Sequence, residues 1–271
     1  MKNIGKILGA QLCDLQKSEK FIGVILLGAA LSSYFGSLYF RFANEAYLAV
    51  NPLESYILNG STKANFTCTV LFPLMLLSFD APYFSDRSIY EISRVGRKQW
   101  LTAKNWFLIL EVLSYNLFCL GISLLFSLFS ARDISWVHWG GAILRLARSG
   151  GGVFLNFPYS DFLSAYSPMT GALITLVFNS AYCLVLALIM LLANILLGGT
   201  KGWPIAIAIH ILGYVIGNNG NGLVFKFGFS LLDWAMPASR GADLLLPGLM
   251  FAGILAALLM TAGQAEKRLV P

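Results

Sequence analysis

Residues 169–198 read MTGALITLVFNSAYCLVLALIMLLANILLG, a run of apolar character that contains no charged side chain. An α-helix needs about 20 mostly apolar residues to cross the ~30 Å hydrocarbon layer of a bilayer. This run is longer than one perpendicular crossing requires, so we expect a tilted helix or one that begins in the membrane interface. The stretch by itself indicates a membrane protein.

Further apolar runs precede and follow this one, near residues 21–40, 66–82, 106–129, 203–218 and 244–263. The run at 203–218 is short and leads into the polar sequence NNGNG. Such an end is typical of a helix that breaks where protein or water, and not lipid, surrounds the backbone. We therefore predict an all-α polytopic membrane protein with one domain and six transmembrane helices.

The composition of the whole chain agrees with this interpretation. Hydrophobic residues make up 57% of the 271 residues and charged residues only 12%, against roughly 25% charged in a soluble domain. The mean hydropathy is +0.71. A soluble globular enzyme is excluded, because a water-exposed surface of this size needs far more polar groups.

The net charge of +6 comes from 19 basic and 13 acidic residues, and the positive-inside rule explains it without a nucleic-acid partner. Both termini are predicted to be cytoplasmic. This orientation puts most basic residues inside: Lys2, Lys6, Lys17, Lys20, Arg87, Arg94, Arg97, Lys98, Lys104, Lys201, Lys267 and Arg268. Among the basic residues left outside are Arg132, Arg145 and Arg148, which lie in a long loop and weigh less in the rule.

Residues 1–20 predict an amphipathic helix ahead of the first span. Apolar side chains recur at steps of three and four residues, at Ile4, Ile7, Leu8, Leu12 and Leu15. A helix with this pattern lies flat in the inner membrane interface. Because the first apolar run begins only after it and is long enough to span, we expect that run to stay in the mature chain.

The loop between the second and third spans reads YFSDRSIYEISRVGRKQWLTAKN over residues 83–105. Ser88 and Glu91 have the spacing of a capping box, and Gly96 is a helix stop. A helix of about two turns is predicted between them. It is too short to be stable alone, so it should pack on its own chain or on a partner.

After this helix, Arg97, Trp100, Leu101 and Lys104 lead into the third span. The order of these features resembles the permease subunit of ABC-2-type transporters. The likeness includes the N-terminal elbow helix, the six spans, a fourth span that opens with Ser167-Pro168, and a broken hydrophobic hairpin at 229–241. The inner loop at 199–202 departs from the family, since it is too short for a second coupling helix.

The resemblance implies a function and a set of partners. The short helix would be the coupling helix, which contacts a separate cytoplasmic ATP-binding-cassette subunit through Ser88, Ile89, Tyr90, Glu91, Ile92, Ser93 and Arg94. ATP and magnesium would be bound by that subunit, so this chain would hold no cofactor and would not be an enzyme. A second copy of this permease, or a related one, would complete an exporter of hydrophobic or amphipathic substrates, such as peptides or drugs, in the cytoplasmic (inner) membrane.

Motifs for other chemistry are absent from the sequence. There is no GxxxxGK[ST] phosphate loop, no HExxH zinc motif and no GxSxG nucleophile elbow. The four cysteines, at positions 13, 68, 119 and 183, have neither CxxC spacing nor the pattern of a disulfide framework. Catalysis by this chain is therefore not expected.

Polar residues inside the predicted spans leave two interpretations open. Glu111, Asn116, Asn179, Asn194 and His210 either line a pathway or bond neighbouring helices. A charge at the membrane centre costs roughly 2.5–3.5 kcal/mol, but Glu111 lies close to the inner interface. The alternative functions are an ion-coupled carrier that uses Glu111 and a stand-alone membrane immunity or sensor protein that binds a toxic peptide.

Overall fold

A computed structural model describes residues 2–79, 92–149, 155, 160–218, 230–237 and 244–265. Helix accounts for 85% of the structure. Within the described ranges the chain forms no β-strand, and Val50 and Ile134 meet in an isolated β-bridge. The prediction of an all-α protein is confirmed.

The described residues form twelve α-helices and one π-helical turn. Their bounds are α1 Lys2–Gln16, α2 Glu19–Glu45, α3 Glu54–Ser61, α4 Lys63–Phe66, a π-helical turn Thr67–Leu71, α5 Phe72–Ser78, α6 Arg97–Ser130, α7 Gly141–Ser149, α8 Ser160–Ala165, α9 Pro168–Leu197, α10 Gly202–Asn218, α11 Leu231–Ala235 and α12 Leu245–Ala265.

Four of these helices, α2, α6, α9 and α12, are long and apolar enough to cross a membrane. Their outward faces carry exposed large apolar side chains, among them Leu26, Val177 and Leu249, as a lipid-facing surface requires. The segments Lys63–Ser78 and Gly202–Ile216 are apolar but shorter. The protein is thus membrane-embedded and helical, and crossing by the two shorter segments stays a prediction.

Helix α9 packs at the centre of the bundle, against α6, α10 and α12. Ser167 caps its first turn, because the Ser167 side chain accepts a hydrogen bond from the backbone N–H of Thr170. Helix α1 packs along α6, with Ile7 buried. The N-terminal segment therefore lies against the bundle as a separate helix.

The second predicted span is a broken helix that begins earlier than the apolar run. The extended backbone at Thr62 (φ −98°, ψ 120°) separates α3 from α4, and every residue of α3 is buried. A π-helical turn follows, and Pro73 just beyond it has no N–H to donate to the carbonyl of Thr69. The hydroxyl of Tyr115 on α6 donates to that carbonyl instead, at 2.9 Å.

The third span also begins earlier than predicted, since α6 starts at Arg97. Residues 92–95 are helical and end at Gly96, which has φ +86°. This left-handed conformation suits glycine and ends one helix directly before the next begins. The predicted helix stop at Gly96 is confirmed.

A buried carboxylate joins the loops at the end of the bundle where α2 and α6 finish. Glu54 is fully buried and accepts hydrogen bonds from Tyr39 Oη (2.6 Å) and from the backbone N–H groups of Asn51 (2.8 Å) and Gly140 (2.5 Å). A side chain at Gly140 would collide with the backbone at residues 49–50. Glu54 thereby connects α2 and the start of α3 to the segment before α7, which lies 86 residues away in sequence.

Burial raises the pKa of Glu54 from 4.5 to about 7, although its three hydrogen-bond donors act in the lowering direction. The folded protein therefore binds this proton more tightly than the unfolded chain. We predict that the free energy of unfolding of the protein falls by on the order of 3 kcal/mol as the pH rises from about 4.5 to about 7. Above pH 7 the titration of Glu54 should cause no further change.

Thermal unfolding in detergent from pH 4.5 to 8 measures this dependence. Glu54→Gln should remove it, whereas Glu45→Gln, in an exposed ion pair with Arg41, should retain it. An equal pH slope in wild type and Glu54→Gln would contradict the assignment.

Candidate functional site

Three polar side chains from different helices meet inside the bundle, and we call Thr67, Tyr182 and His210 the polar centre. Nε2 of His210 lies 3.0 Å from Oγ1 of Thr67, and Nδ1 lies 2.9 Å from the hydroxyl of Tyr182. The Thr67 hydroxyl donates its one hydrogen to the carbonyl of Lys63 at 2.7 Å. It must then accept from Nε2–H, which leaves Nδ1 to accept from Tyr182.

This assignment gives a neutral imidazole with both ring nitrogens bonded. Thr67 begins the π-helical turn, Tyr182 lies on α9 and His210 on α10. The polar centre therefore ties the broken helix to two others. His210 was a candidate from its position within an apolar run, and the structure places it in this hydrogen-bonded network.

An ion pair lies one helical turn from the polar centre. Nζ of Lys63, the first residue of α4, is 2.8 Å from Oδ1 of Asp233 on α11. The two side chains are 20% and 26% exposed, so the pair is reachable from outside the bundle. It connects the break at Thr62 to the segment that precedes the last helix.

Helix α11 is held at two further points. Oγ of Ser230 caps α11 and donates to the carbonyl of Gly213 on α10 at 2.9 Å. The side-chain amide of Asn179 on α9 donates to the carbonyls of Ala235 (2.8 Å) and Gly60 (3.2 Å). The structure describes residues 230–237 of the predicted hydrophobic hairpin at 229–241, and these form a short buried helix. The other residues of the hairpin lie outside the described residues.

Helix α3 brings polar atoms into the bundle that the surrounding protein does not pair. Ser55 Oγ, Tyr56 Oη, Asn59 Nδ2 and Ser61 Oγ are buried without a hydrogen-bond partner. Buried polar groups nearly always have a partner in a folded protein. On this short helix, next to the break at Thr62, four buried side-chain atoms are therefore without a protein partner.

The other candidate polar residues lie apart from the polar centre. Asn194 donates to the carbonyl of Phe79 (3.2 Å) and accepts from the N–H of Gly202 (2.7 Å). It therefore joins the end of α5 to the start of α10, at the end of the bundle away from Glu54. Glu111 accepts from Ser78 Oγ at 3.2 Å. Asn116 donates to the carbonyl of Val112 within α6. All three are buried.

The loop before α6 is described only in part. Ser88, Ile89, Tyr90 and Glu91 lie outside the described residues. In the helical stretch 92–95, Ile92 is buried, whereas Ser93 and Arg94 are exposed. Just beyond Gly96, Trp100 and Lys104 are buried, and the Lys104 ammonium lies 5.1 Å from the centre of the Trp100 ring. The start of α6 is therefore anchored in the bundle.

Sequence reasoning did not single out Glu54, Lys63, Thr67 or Asp233. Lys63 precedes an apolar run, and Asp233 lies in an interrupted apolar stretch. In the sequence each looks like an ordinary residue of the membrane interface. Their partners lie far away along the chain, 170 residues in the case of the ion pair, and no local periodicity reports such a distance.

A metal centre is not formed within the described parts of the chain, where no three His, Cys, Asp or Glu side chains come together. Comparisons with models of protein families, with curated proteins and with solved structures give no match to this chain. Function must therefore be argued from the residues and their geometry.

Gly60 allows α3 to contact α9 closely, because a Cβ at this position would collide with the amide of Asn179 and the methyl group of Thr175. We predict that Gly60→Ala lowers the free energy of unfolding by about 1–3 kcal/mol through overpacking. Gly121→Ala in α6 is the matched control, since nothing lies within 4 Å of its Cβ position.

The control should be neutral or stabilising by up to about 1 kcal/mol, the helix-propensity gain of alanine. Thermal unfolding of both variants in the same detergent is the measurement. Equal midpoints for the two variants would show that the contact between α3 and α9 is looser than described.

Proposed function

We propose that this chain is the permease subunit of an ABC-2-type exporter in the cytoplasmic membrane. It crosses the membrane six times with both termini in the cytoplasm and pairs with a second permease. A separate ATP-binding-cassette subunit hydrolyses ATP. The substrate is hydrophobic or amphipathic, such as a peptide or a drug. This chain supplies the pathway and its gate, and the partner supplies the energy.

The observation that carries the proposal is the direct connection between the exposed loop helix and α6. Ser93 and Arg94 face outward, and only Gly96 separates their helix from α6. Helix α6 has 34 residues and is therefore about 51 Å long. A push on the loop helix by the partner is transmitted along a rigid rod to the opposite end of the bundle.

The geometry of α3 and α11 supports the pathway. The side-chain amide of Asn179 on α9 bonds both the carbonyl of Gly60 on α3 and that of Ala235 on α11. The ion pair between Lys63 and Asp233 and the hydrogen bond from Ser230 to Gly213 also hold α11. Such polar contacts can break and form again as the bundle changes state.

Co-expression with an ABC-type ATPase from the same gene neighbourhood tests the proposal. We expect the two chains to purify as a complex. Charge reversal at Glu91 and Arg94 together should lower ATPase stimulation by the permease about tenfold, since like charges across an interface repel. Charge reversal at Arg148, exposed on α7, is the matched control and should leave it unchanged. A chain that exports substrate without any ATPase would refute the proposal.

The ion-coupled carrier is the second candidate function, and the broken helix next to His210 favours it. Carriers place their coupling sites where helices are discontinuous. Collapsing the proton gradient while ATP is held constant separates the two functions: a carrier stops, whereas an ATP-driven exporter continues. Glu111→Gln should abolish the pH dependence of transport only in the carrier.

A further inference from the structure

The end of the bundle where α2 and α6 finish carries an open groove of about 620 Å³. The rim of the groove is cationic, with Arg41 from α2 and Arg132 just after α6. Its floor contains the rings of Phe40 and Phe126, whose centres are 5.9 Å apart. We propose that this groove binds an anionic phospholipid, with the phosphate on the two guanidinium groups and an acyl chain along the aromatic floor.

The helix ends that form the groove are joined firmly. The side chain of Asn44 donates to the carbonyl of Ser130 at 3.0 Å and accepts from the N–H of Arg132 at 3.3 Å. Arg132 is thereby positioned against the end of α2. The backbone positions of the two arginines are thus set before any ligand arrives, which limits the ordering cost of binding.

Tyr47 adopts a backbone conformation that is costly for its residue type. It follows the C-cap of α2, where the N–H of Leu48 bonds to the carbonyl of Ala43 (2.9 Å) and the N–H of Tyr47 to that of Asn44 (3.4 Å). This is a Schellman motif, in which glycine usually occupies the left-handed position. Tyr47 occupies it here, with φ +51°.

The side chain of Tyr47 lines the groove and points away from the core. The side chain of Tyr47 is 87% exposed, so packing inside the bundle does not explain it. Its ring lies 6.0 Å from the Arg132 guanidinium. Strain of this kind at an exposed residue is found where the side chain serves a ligand. A cation–π contact with the ring does not use the N–H donors of the guanidinium, which stay open to an anion.

Electrostatics favour a phosphate over a cationic or neutral group. Nε of Arg41 donates to Glu45 at 2.8 Å in an exposed pair, and a guanidinium has further N–H donors beyond Nε. The groove lining thus holds two arginines against one glutamate. Arg145 adds a third guanidinium nearby, 5.9 Å from the ring of Phe42 on α2.

The groove continues onto the lipid-facing surface, which is why the occupant is a lipid. Tyr34 and Ser37 lie on the same face of α2 as Arg41, and Tyr34 is exposed. On α6, Phe129 lies one turn from Phe126 and is 88% exposed. An acyl chain can therefore follow the two helices toward the membrane centre while the phosphate stays at the rim.

The test uses the full chain in mild detergent, with native mass spectrometry to count bound phosphatidylglycerol during a titration. Phosphatidylcholine is the comparison lipid. We expect phosphatidylglycerol to bind more tightly, and the double variant Arg41→Gln/Arg132→Gln to raise its half-saturation concentration about tenfold, because charge-assisted hydrogen bonds are lost.

The matched control removes two exposed cations outside the groove, Lys98→Gln and Arg148→Gln, and should bind as wild type does. Tyr47→Gly provides an independent check that a merely structural role cannot reproduce. It should raise the melting temperature, because glycine relieves the left-handed strain, and yet weaken phosphatidylglycerol binding about threefold, because the stacked ring is gone.

Three results would overturn the proposal. These are equal phosphatidylglycerol binding by the groove variant and the control, equal binding of the two lipids by wild type, and displacement of the lipid by glycerol phosphate at equal concentration. The last would identify a site for a soluble anion, since the apolar floor would then contribute nothing. None of these outcomes depends on whether the protein is an exporter.

Discussion

A polar group carried into the bundle must find its partner within the protein, because neither lipid nor a dry helical core offers water. The consequences are visible at Thr69. Its carbonyl has no helical donor, because the residue four positions on is Pro73, and it accepts a hydrogen bond from the hydroxyl of Tyr115 on α6 instead. Gly28 makes room for that hydroxyl, since a Cβ there would collide with it. One missing N–H thus determines a contact among three helices.

The same constraint makes some joints of the bundle rigid and others able to open. Glu54 has three donors and holds the loops at one end as a unit. By contrast, α11 is joined to its neighbours by a half-buried ion pair and single hydrogen bonds. The polar contacts of α11 can therefore change without breaking the hydrogen bonds of Glu54.

The two ends of α6 suit different tasks. At its start, the buried Trp100 and Lys104 anchor the helix while Ser93 and Arg94 remain accessible to a partner. At its finish, Asn44 joins it to α2 beside the cationic groove. If the proposed ATPase acts at one end and a lipid binds at the other, both would act on the same helix.

The fold class could be read from the chain without any structure, since apolar runs of 20 to 30 residues have one stable arrangement in a bilayer, the helix. A local signal also located the helix stop at Gly96. The break at Thr62 and the burial of all of α3 were missed, because α3 reads as a polar loop and only its neighbours make it an interior helix.

For the polar residues, the sequence by itself determined that His210 and Asn179 lie within apolar helices and need partners. Only the tertiary structure decided which partners these are. His210 meets Thr67 from 143 residues away, and Lys63 meets Asp233 from 170 residues away. The physical reason is that hydrophobicity accumulates along a segment, whereas a hydrogen bond or ion pair depends on two groups that folding alone brings together.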